Sequence, residues 1–466
     1  MSDLNRRDFL KLSGAAAASA VSLNAEGPPK GGHHIDGDGG RHIDEGGRHM
    51  ADEQAREGLL AAPPIELVRI GMVGIGLQGG SHLENFLKIP GCRITAVCDV
   101  RDERTTWASK AIVAAGHPQP AVYAKGPRDF ERLCETEELD LVFTATPWEW
   151  HVPVMLAAMK AGKHAATEVP AAMTVDDCWA LVESAEKHKR HAVMMENCNY
   201  DRPEMMVLNM VRQGVLGEVV HAEGGYLHDL RAIKFENKDE GLWRRAWSRK
   251  LDGNLYPTHG LGPVANCLDI NRGDRFDYLV SMSGPSRGLQ DWAREHFPEG
   301  APERRERFAM GDVNTSLIKT ARGRTIMVQH CTNLPRPYSR IHMVQGTKGM
   351  FQGYPNRVYI EGRGKPHQWV EAAAIRSEFD HPLWKAVEAR AAGAGHGGMD
   401  FIEDHRLIHC LRNGLTTDMN VYDAAALSAV VGLSVASTAR RSRAVDFPDF
   451  TRGRWRSNPR LVISAD

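Results

Sequence analysis

The stretch VRIGMVGIGLQGG, residues 68–80, decides the fold of this chain. Its first half is a compact apolar strand, and its second half places Gly74, Gly76 and Gly79 in the spacing G-x-G-x-x-G. A helical pattern, SHLENFLKI, follows at residues 81–89. Glycines at this spacing allow a tight turn and let the backbone approach a pyrophosphate, whose charge is favoured at a helix N-terminus. The stretch therefore predicts the phosphate-binding turn of a dinucleotide-binding domain.

An acidic residue near the end of the next strand supports the same prediction. The strand RITAVCDV, residues 93–100, brings Asp99 to the position where an acid holds the adenosine ribose hydroxyls. A carboxylate there would repel the 2′-phosphate of NADP, so Asp99 favours NAD. The simpler alternative is a glycine turn with a surface aspartate, which the strand–turn–helix context disfavours.

Strands alternate with helices from residue 64 to about 198, which predicts a parallel sheet with helices on both faces. Ligands of such sheets lie beyond the carboxyl ends of the strands. Three later strand ends carry unusual residues: TPWEWH at 146–151, TEVP at 167–170 and ENCNY at 196–200. Because they follow a strand and precede a helix, we expect Trp148 and Trp150 to wall a nicotinamide or adenine, and His151 to donate to a ribose or phosphate. The alternative for the tryptophan pair is core packing.

The pattern changes at residue 199. EVVHAEGGYLHDL at 218–230 alternates like a sheet strand, and two stretches resemble hairpins: TSLIKTARGRTIMVQH at 315–330 and RIHMVQGTKGMFQG at 340–353. The stretch at 421–442 has helical apolar spacing. We therefore predict an α/β fold, with an N-terminal Rossmann dinucleotide-binding domain at 64–198 and a C-terminal α+β domain with a mostly antiparallel sheet at 199–466.

Composition excludes some classes of partner. The 466 residues carry 58 Lys and Arg against 59 Asp and Glu, so no basic surplus is available to neutralise the phosphates of a nucleic acid. The eight cysteines are scattered without a CxxC pair. Their apolar neighbours predict buried thiols and argue against a disulfide framework or a zinc site.

The N-terminus predicts export. NRRDFLKLSGAAAASA at 5–20 places Arg6 and Arg7 before a short apolar run, which is typical of a twin-arginine signal. We assign the signal to residues 1–25, with cleavage after Ala20 or Ala25, and expect the mature protein in the periplasm or secreted from a bacterium. The apolar run is too short to span a membrane, and we expect no later span.

A linker is predicted at residues 26–63. Its stretch at 27–50 is rich in Gly, His and Asp. Such a tract can bind metal, but a flexible tether is favoured because nothing apolar is available to order it.

Residues 64 to about 360 resemble the glucose–fructose oxidoreductase family of sugar dehydrogenases. The resemblance rests on the glycine turn, Asp99, the TP at 146–147, AGKH at 161–164 and GTKG at 346–349. That family usually has Glu-Lys-Pro where this chain has Glu-Val-Pro, and its lysine helps to move the substrate's hydroxyl proton. Val169 cannot replace it, so the resemblance implies either lost chemistry or a different reaction at the nicotinamide.

The second part resembles glycoside hydrolase family 109, a branch of the same fold whose known activity is that of an NAD-dependent α-N-acetylgalactosaminidase. The stretches that carry this resemblance are GLWRRAW at 241–247, GNLYPTHGLGPVANCLDINRGD at 253–274 and PRPYSRIHMVQGTKG at 335–349. Carried over by matching positions, the implied cofactor contacts are Leu77, Gln78, Asp99, Trp148, His151, Glu168, Val169 and Asn197. The implied sugar contacts are Tyr226, Arg244, Tyr256, His259 and Tyr338.

The resemblance also implies a mechanism in which NAD oxidises carbon 3 of the sugar, a base removes the proton on carbon 2, and the aglycone leaves by elimination. Water then adds and the sugar is reduced again. NAD-dependent glycosidases differ in this from the enzymes that use two carboxylates. His259, with Tyr256 in the same YPTH turn, is the candidate catalytic residue, and no metal is implied. Tyr200 is a further candidate sugar contact, and Arg245 is the alternative to Arg244.

Three functional hypotheses remain at this point. The first is the NAD-dependent glycosidase acting on an α-N-acetylgalactosaminide. The second is a periplasmic sugar dehydrogenase with net oxidation, and the third is a non-catalytic binding protein on the same scaffold. Val169 disfavours the second, and the retained Asp99, Tyr256 and His259 disfavour the third. A homo-oligomer is possible, because open sheets in such second domains often pair.

Overall fold

The computed structural model describes residues 60–464. The predicted signal and almost all of the predicted linker lie outside the described residues. The strands are β1 (Val68–Val73), β2 (Cys92–Cys98), β3 (Ala121–Tyr123), β4 (Leu141–Thr144), β5 (His164–Thr167), β6 (Ala192–Met194), β7 (Val219–Leu227), β8 (Phe276–Ser283), β9 (Asn314–Thr320), β10 (Thr325–Cys331), β11 (Met343–Gly346), β12 (Gly349–Gln352), β13 (Arg357–Ile360), β14 (Val370–Glu371) and β15 (Val445–Asp446).

The α-helices are α1 (Leu77–Phe86), α2 (Asp102–Ala114), α3 (Asp129–Thr136), α4 (Trp148–Lys160), α5 (Val175–His188), α6 (Arg202–Arg212), α7 (Arg231–Lys234), α8 (Asp239–Lys250), α9 (Thr258–Cys267), α10 (Gly288–His296), α11 (Arg376–Phe379), α12 (Pro382–Ala391), α13 (Met399–Asn413) and α14 (Val421–Ala439). Short 3₁₀ helices lie at Asn197–Tyr200, Pro302–Arg305, Ala372–Ala374, Gly395–Gly398 and Arg454–Arg456.

The first sheet has six parallel strands in the order β3-β2-β1-β4-β5-β6. Its strands are almost continuously apolar because helices cover both faces. The strand order reverses between β1 and β4, so the loops that follow these two strands open a crevice at the carboxyl edge. This confirms the predicted Rossmann domain.

The second sheet has nine strands in the order β14-β13-β12-β11-β7-β10-β9-β8-β15. All neighbouring pairs are antiparallel except β7 and β10. The two predicted hairpins are present as β9–β10 and β11–β12. The predicted mostly antiparallel sheet of an α+β region is therefore confirmed.

Helix α9 packs directly on the backbone of β7. A Cβ added at Gly260 would lie 2.0 Å from the Gly225 nitrogen, and one added at Gly224 would lie 2.2 Å from the Gly260 oxygen. No side chain fits in that contact. The glycines of HAEGGY and YPTHGLG are thus explained by close backbone approach, which brings Tyr226 and His259 together from distant parts of the sequence.

The C-terminal helices return to the first domain. Helix α13 packs on α1, the helix after the glycine turn, and α14 packs on α5 and β8. By length and a hydropathy of 1.4, α14 could cross a membrane, so the expectation that no later stretch is apolar enough is wrong. However, 83% of its apolar window is buried inside the protein, as in a core helix.

Two smaller expectations also have outcomes here. All eight cysteines are free and buried, which confirms the predicted thiols. The segment WEWH is not a loop before a helix, because α4 already begins at Trp148. Pro153 is the sixth residue of this helix, so the helix begins more than one turn before it, and the proline omits the hydrogen bond to the Glu149 carbonyl.

Candidate active site

The glycine turn between β1 and α1 is closely packed on one side. Gly74 has φ +81°, and a Cβ there would lie 2.9 Å from the carbonyl carbon of Ala145. A Cβ on Gly79 would lie 2.1 Å from the Gly74 oxygen. These two glycines are therefore required by the backbone itself, because any side chain would push helix and strand apart.

The other side of the turn is open. Gly76 is the N-cap residue of α1, and a Cβ there would meet only the Arg101 guanidinium, at 3.7 Å. No side chain caps this helix N-terminus, and no acidic residue lies in its first turn. Leu77, the first residue of the helix, is 70% exposed. An uncapped N-terminus with space beside a glycine fits a pyrophosphate, since the free N–H groups and the helix dipole favour an anion.

Asp99 is nearly buried and ties this turn to β2. Its carboxylate accepts the N–H of Ile75 at 2.6 Å and that of Arg101 at 2.9 Å. The acid that the sequence places at the ribose therefore also fixes the shape of the glycine turn. The Arg101 side chain is held by Asp239, at 3.0 Å from Nη1 to Oδ1.

Glu168 takes part in a buried ion-pair chain behind the crevice. Its Oε1 lies 2.7 Å from Nε2 of His82, and Nδ1 of His82 lies 2.8 Å from Asp404 on α13. Burial would lower the pKa of His82, but the two carboxylates outweigh it and raise that pKa well above its usual value. Glu168 therefore faces a cation contributed by α1.

Asp400, also on α13, connects two more predicted residues. It accepts a hydrogen bond from Asn197 at 2.7 Å and one from Gln78 at 3.3 Å. His396 lies 2.7 Å from the same carboxylate. Burial would raise the pKa of Asp400, but the hydrogen bond and charge of His396 lower it to about 2. Gln78, Glu168 and Asn197 are thus brought together through carboxylates that come from the end of the chain.

His151 has a different environment from the predicted one. Its two ring nitrogens lie 2.8 Å from the carbonyl oxygens of Pro170 and Thr146. Burial lowers its pKa, so the ring is neutral and carries one proton between two acceptors. The prediction that His151 donates to a ribose or phosphate is therefore corrected. Its ring links Thr146, just before α4, to Pro170, which follows the buried Val169.

The two tryptophans of α4 diverge. Trp150 packs edge-on against Phe130 of α3, which is the core packing given as the alternative. Trp148 lies 4.7 Å from the ring of Trp243 and 5.8 Å from that of Tyr256. Trp148 therefore belongs to the aromatic cluster of the second domain and joins the crevice to it.

Three predicted sugar residues form the centre of that cluster. The rings of Tyr226 and Tyr256 are 4.5 Å apart, and the His259 ring lies 5.4 Å and 4.8 Å from them. Tyr338 is 6.2 Å from Tyr226, with edge-to-face geometry. We call these four residues together with Trp148 the aromatic chamber. The aromatic chamber therefore brings together four predicted sugar contacts and one predicted cofactor contact.

The structure distinguishes the two arginines of α8. The Arg244 guanidinium lies 5.3 Å from the Trp148 ring and 5.1 Å from the Tyr256 ring, and its Nε is 2.6 Å from Glu240. Arg245 instead lies over Phe235, outside the aromatic chamber. Arg244 is therefore the arginine at the chamber.

His259 has a buried carboxylate behind it. Its Nδ1 lies 2.7 Å from Oε1 of Glu196, which is fully buried, and none of the described residues hydrogen-bonds Nε2. Burial would raise the pKa of Glu196, but the charge and hydrogen bond of His259 outweigh it, so the pKa is lowered. A Cβ at Gly262 would lie 2.9 Å from Cγ of Glu196, so this glycine makes room for the carboxylate.

Cys198 lies beside this pair. Among residues 60–464, Glu196, Cys198 and His259 form the one group spaced closely enough to hold a metal, with ligand atoms within 4.8 Å. Burial raises the pKa of Cys198 well above its usual value, which keeps it a thiol. The three residues thus form a carboxylate–imidazole pair beside a neutral thiol.

Tyr200 is not brought into the chamber. Its hydroxyl donates to Asp418 at 3.0 Å, and Asp418 also holds Arg406 at 2.9 Å. The short 3₁₀ helix after β6 turns this ring towards α13, so Tyr200 is a structural residue.

Family profiles match nearly the whole described chain. Residues 68–196 match the oxidoreductase family with an NAD-binding Rossmann fold, and residues 200–457 match the C-terminal domain of glycosyl hydrolase 109. The second match alone spans more than half of the chain. The chain belongs to glycosyl hydrolase family 109. Residues 3–21 of this family 109 protein also match the twin-arginine translocation signal sequence, so it is a protein of that export route.

Curated relatives agree over the full length. A glycosyl hydrolase family 109 protein of Shewanella baltica strain OS185 is 44% identical over 478 residues, with 99% of each chain covered. A second one, from Shewanella sp. strain MR-4, is 45% identical, with 100% of each chain covered. Because these alignments cover 99–100% of both chains, the relatives share both domains.

Solved structures share the fold. A levoglucosan dehydrogenase in complex with NADH and L-sorbose has a TM-score of 0.62 and 20% identity, covering 82% of this chain and 100% of its own. A scyllo-inositol dehydrogenase from Lactobacillus casei with NAD(H) and scyllo-inositol has a TM-score of 0.58 and 15% identity, covering 82% and 99%. The cofactor of the family 109 protein is NAD, bound by its Rossmann domain.

Several site residues were not found from the sequence. Glu196 stands next to the predicted Asn197, but only the fold shows that it reaches His259. His82 and Asp404 are far apart in sequence, and nothing in either stretch indicates their contact. His228 could have been predicted from the sequence, because it lies two residues after Tyr226 and the alternation of side chains along a strand places both on one face.

Proposed function

We propose that this family 109 protein hydrolyses glycosides with a terminal α-linked N-acetylgalactosamine, by a redox-assisted elimination in which NAD is restored in every turnover. The observation that supports this most directly is the Glu196–His259 pair in the aromatic chamber. It supplies a general base in a place where ordinary glycosidases have a pair of free carboxylates.

Three buried or half-buried carboxylates around the chamber are engaged with basic side chains. Glu196 holds His259, Glu240 holds Arg244, and Glu168 holds His82. Hydrolysis by two carboxylates needs one as a general acid and one as a nucleophile or base. Because Glu196, Glu240 and Glu168 are already paired, imidazole and phenol groups of the chamber are favoured as the proton carriers.

The residues that would hold NAD are the open turn at Gly76 for the pyrophosphate, Asp99 for the ribose, and Glu168 with Asn197 at the nicotinamide end. NAD when bound supplies a hydride acceptor for carbon 3 of the sugar and returns the hydride at the end. Buried Val169 brings no proton carrier to this place. The hydroxyl proton on carbon 3, which must leave together with the hydride, is therefore taken up by a residue of the aromatic chamber.

His259 is proposed as the base that takes the proton on carbon 2. The Glu196 carboxylate accepts the Nδ1 proton and so leaves the lone pair on Nε2. The same carboxylate stabilises the imidazolium that forms. Tyr256, whose ring is 4.8 Å away, fixes the plane of the imidazole by an edge-to-face contact.

Sugar binding is assigned to the rest of the chamber. Tyr226 and Tyr338 are proposed as contacts of the pyranose, and Trp148 remains a proposed wall of the nicotinamide. Arg244 is 8% exposed, and its planar donors suit the oxygen of an acetamido group. The acetamido group is the feature that distinguishes the proposed substrate from a plain galactoside.

The direct test uses purified protein and p-nitrophenyl α-N-acetylgalactosaminide. We expect release of p-nitrophenol without net formation of NADH, and exchange of the hydrogen on carbon 2 with deuterium from solvent. Accumulation of NADH with an oxidised sugar would show a dehydrogenase instead. A protein that gave neither product would be a binding protein, and turnover of NAD-free protein at the full rate would refute the redox route.

A matched control for this assay is the corresponding β-linked substrate together with p-nitrophenyl α-galactoside. The proposal expects the highest kcat/KM for the α-linked N-acetylated sugar. Loss of this preference for the acetamido group in Arg244→Lys, with NAD retained, would support the role given to Arg244.

A further inference from the structure

A second histidine lies in the aromatic chamber. His228 follows β7 directly, and its Nδ1 is 3.1 Å from the Tyr226 hydroxyl. Its ring lies 5.1 Å from that of Tyr338, edge to face. His228 is only partly buried, whereas His330, on the far side of Tyr226, is 2% exposed. His228 is therefore a side chain of the chamber itself.

The proposed elimination needs two proton carriers, not one. A base must take the proton from carbon 2, and an acid must give a proton to the oxygen that leaves carbon 1. His259 with Glu196 serves the first step. Glu196 and Glu240 are engaged with His259 and Arg244, so neither carboxylate is assigned as the acid of the second step.

The protonation states of Tyr226 and His228 suit a proton donor. Burial raises the pKa of Tyr226 to about 12, so its hydroxyl keeps its proton. Burial, with the charges of Arg244 and His259, lowers the pKa of His228, so its ring is neutral. With the Tyr226 hydroxyl donating to Nδ1, the ring proton is on Nε2, and none of the described residues accepts a hydrogen bond from it.

We propose that His228, backed by Tyr226, is the catalytic acid that protonates the departing glycosidic oxygen, an inference that rests on the proposed function. As the bond between carbon 1 and oxygen breaks, the oxygen takes the Nε2 proton of His228. His228 takes the hydroxyl proton of Tyr226 on Nδ1, and the phenolate is stabilised by Arg244. The proton on carbon 2 goes to His259, and its electron pair forms the double bond between carbons 1 and 2.

Water addition returns every proton. The water oxygen bonds to carbon 1 and gives one proton to Nε2 of His228, while Nδ1 returns its proton to Tyr226. His259 gives its proton back to carbon 2. Only water is consumed, and the three residues return to their starting protonation states, so the step is balanced.

The test compares two leaving groups in the variant His228→Asn. A methyl glycoside needs an acid because an alkoxide leaves poorly, whereas p-nitrophenolate leaves without one. We expect kcat/KM on methyl α-N-acetylgalactosaminide to fall about 100-fold, a typical size for loss of an acid, and kcat/KM on the p-nitrophenyl substrate to fall less than about 5-fold. Tyr226→Phe is expected to show the same asymmetry with smaller loss.

The control variant is His221→Gln. His221 lies on the same strand but on its opposite face, where its ring bonds the Thr325 hydroxyl at 2.7 Å. Both substrates should be cleaved by it at the wild-type rate. Equal losses of both substrates in His228→Asn, with NAD content and melting temperature unchanged, would overturn the inference, as would no loss of either.

These outcomes stay separate from the proposed function itself. Wild-type protein that releases p-nitrophenol without net NADH supports the proposed function whatever His228→Asn does. If wild-type protein cleaves neither substrate, the proposed function fails, and the inference fails with it.

Discussion

The nucleotide end of the crevice and the aromatic chamber are built in different ways. At the nucleotide end, the shape comes from backbone: Gly74 and Gly79 permit a close turn, and Asp99 holds that turn through two N–H groups. In the chamber, the shape comes from side chains of separate segments, brought together because Gly224 and Gly260 let β7 and α9 touch.

This difference decides how each end tolerates change. A turn whose shape comes from the backbone depends on a few neighbouring residues, so a short sequence motif predicts it. A chamber made of side chains from distant segments depends on the whole fold. Single substitutions there should change turnover without changing the amount of NAD that the protein binds. The amount of NAD that a variant retains therefore reports on the nucleotide end, and its turnover with NAD bound reports on the chamber.

The largest effect is expected for His259→Ala. Removing the proposed base should lower kcat by about 10³-fold or more, since general base catalysis is typically worth 10²–10⁴-fold. Because His259 lies in the chamber, the protein should keep its NAD through gel filtration, which absorbance and enzymatic cycling of the released nucleotide can measure. Loss of NAD in this variant would mean that the two ends are not separate.

Gly74→Ala should have the opposite response. The residue has φ +81° and a new Cβ would meet the Ala145 backbone at 2.9 Å, so the turn must shift. We expect NAD affinity to fall by about 100-fold, or about 2.7 kcal/mol, and activity to return when NAD is added in excess. Gly76→Ala is the matched variant. Its new methyl group would lie in the open space proposed for the pyrophosphate, so it should weaken NAD binding without lowering the melting temperature of the NAD-free protein.

Glu196→Gln tests the carboxylate behind His259 with a smaller change. Glutamine keeps the shape but removes the charge, so kcat should fall about 10–100-fold with little change in KM. Glu183→Gln, at an exposed position of α5, is the control and should leave kcat unchanged.

The smallest effect concerns stability at acid pH. The pKa of Asp400 is lowered from 3.8 to about 2, so its contribution is present above about pH 4 and is lost as the pH falls through about 2. We expect Asp400→Asn to be less stable than wild type by about 2 kcal/mol at pH 6, measured by urea unfolding, and this gap to narrow towards pH 2. A gap that does not depend on pH would assign the effect to lost hydrogen bonds with Asn197 and Gln78. Asp446→Asn, at an exposed edge strand, should show no gap.

The fold could be predicted to the extent that its signals are local. The alternation of strands and helices, the glycine turn and the two hairpins are each contained in short stretches, and the structure confirms them. The stretch WEWH was expected to precede a helix, but it forms the first turn of α4. The apolar α14 could not be placed from composition, since its burial depends on α5 and β8.

The candidate site was less predictable. His259, Tyr226 and Arg244 came from a resemblance to a known family, and the structure brings them together, but their roles remain proposals. Glu196 and Asp404 could not be found, because a buried carboxylate shows its partner only in three dimensions. His151 was misassigned for the same reason: its two backbone acceptors lie on different loops.

The return of α13 to the Rossmann domain has a consequence for biosynthesis. Asp400 and Asp404 complete the surroundings of Gln78, His82 and Asn197, yet they are translated long after the glycine turn. A nascent chain still held by the ribosome near residue 350 has the turn but lacks these carboxylates. Binding of the nucleotide is then a late step of maturation. A translocase that accepts only folded proteins would export this protein only after α13 has completed the surroundings of the nucleotide site.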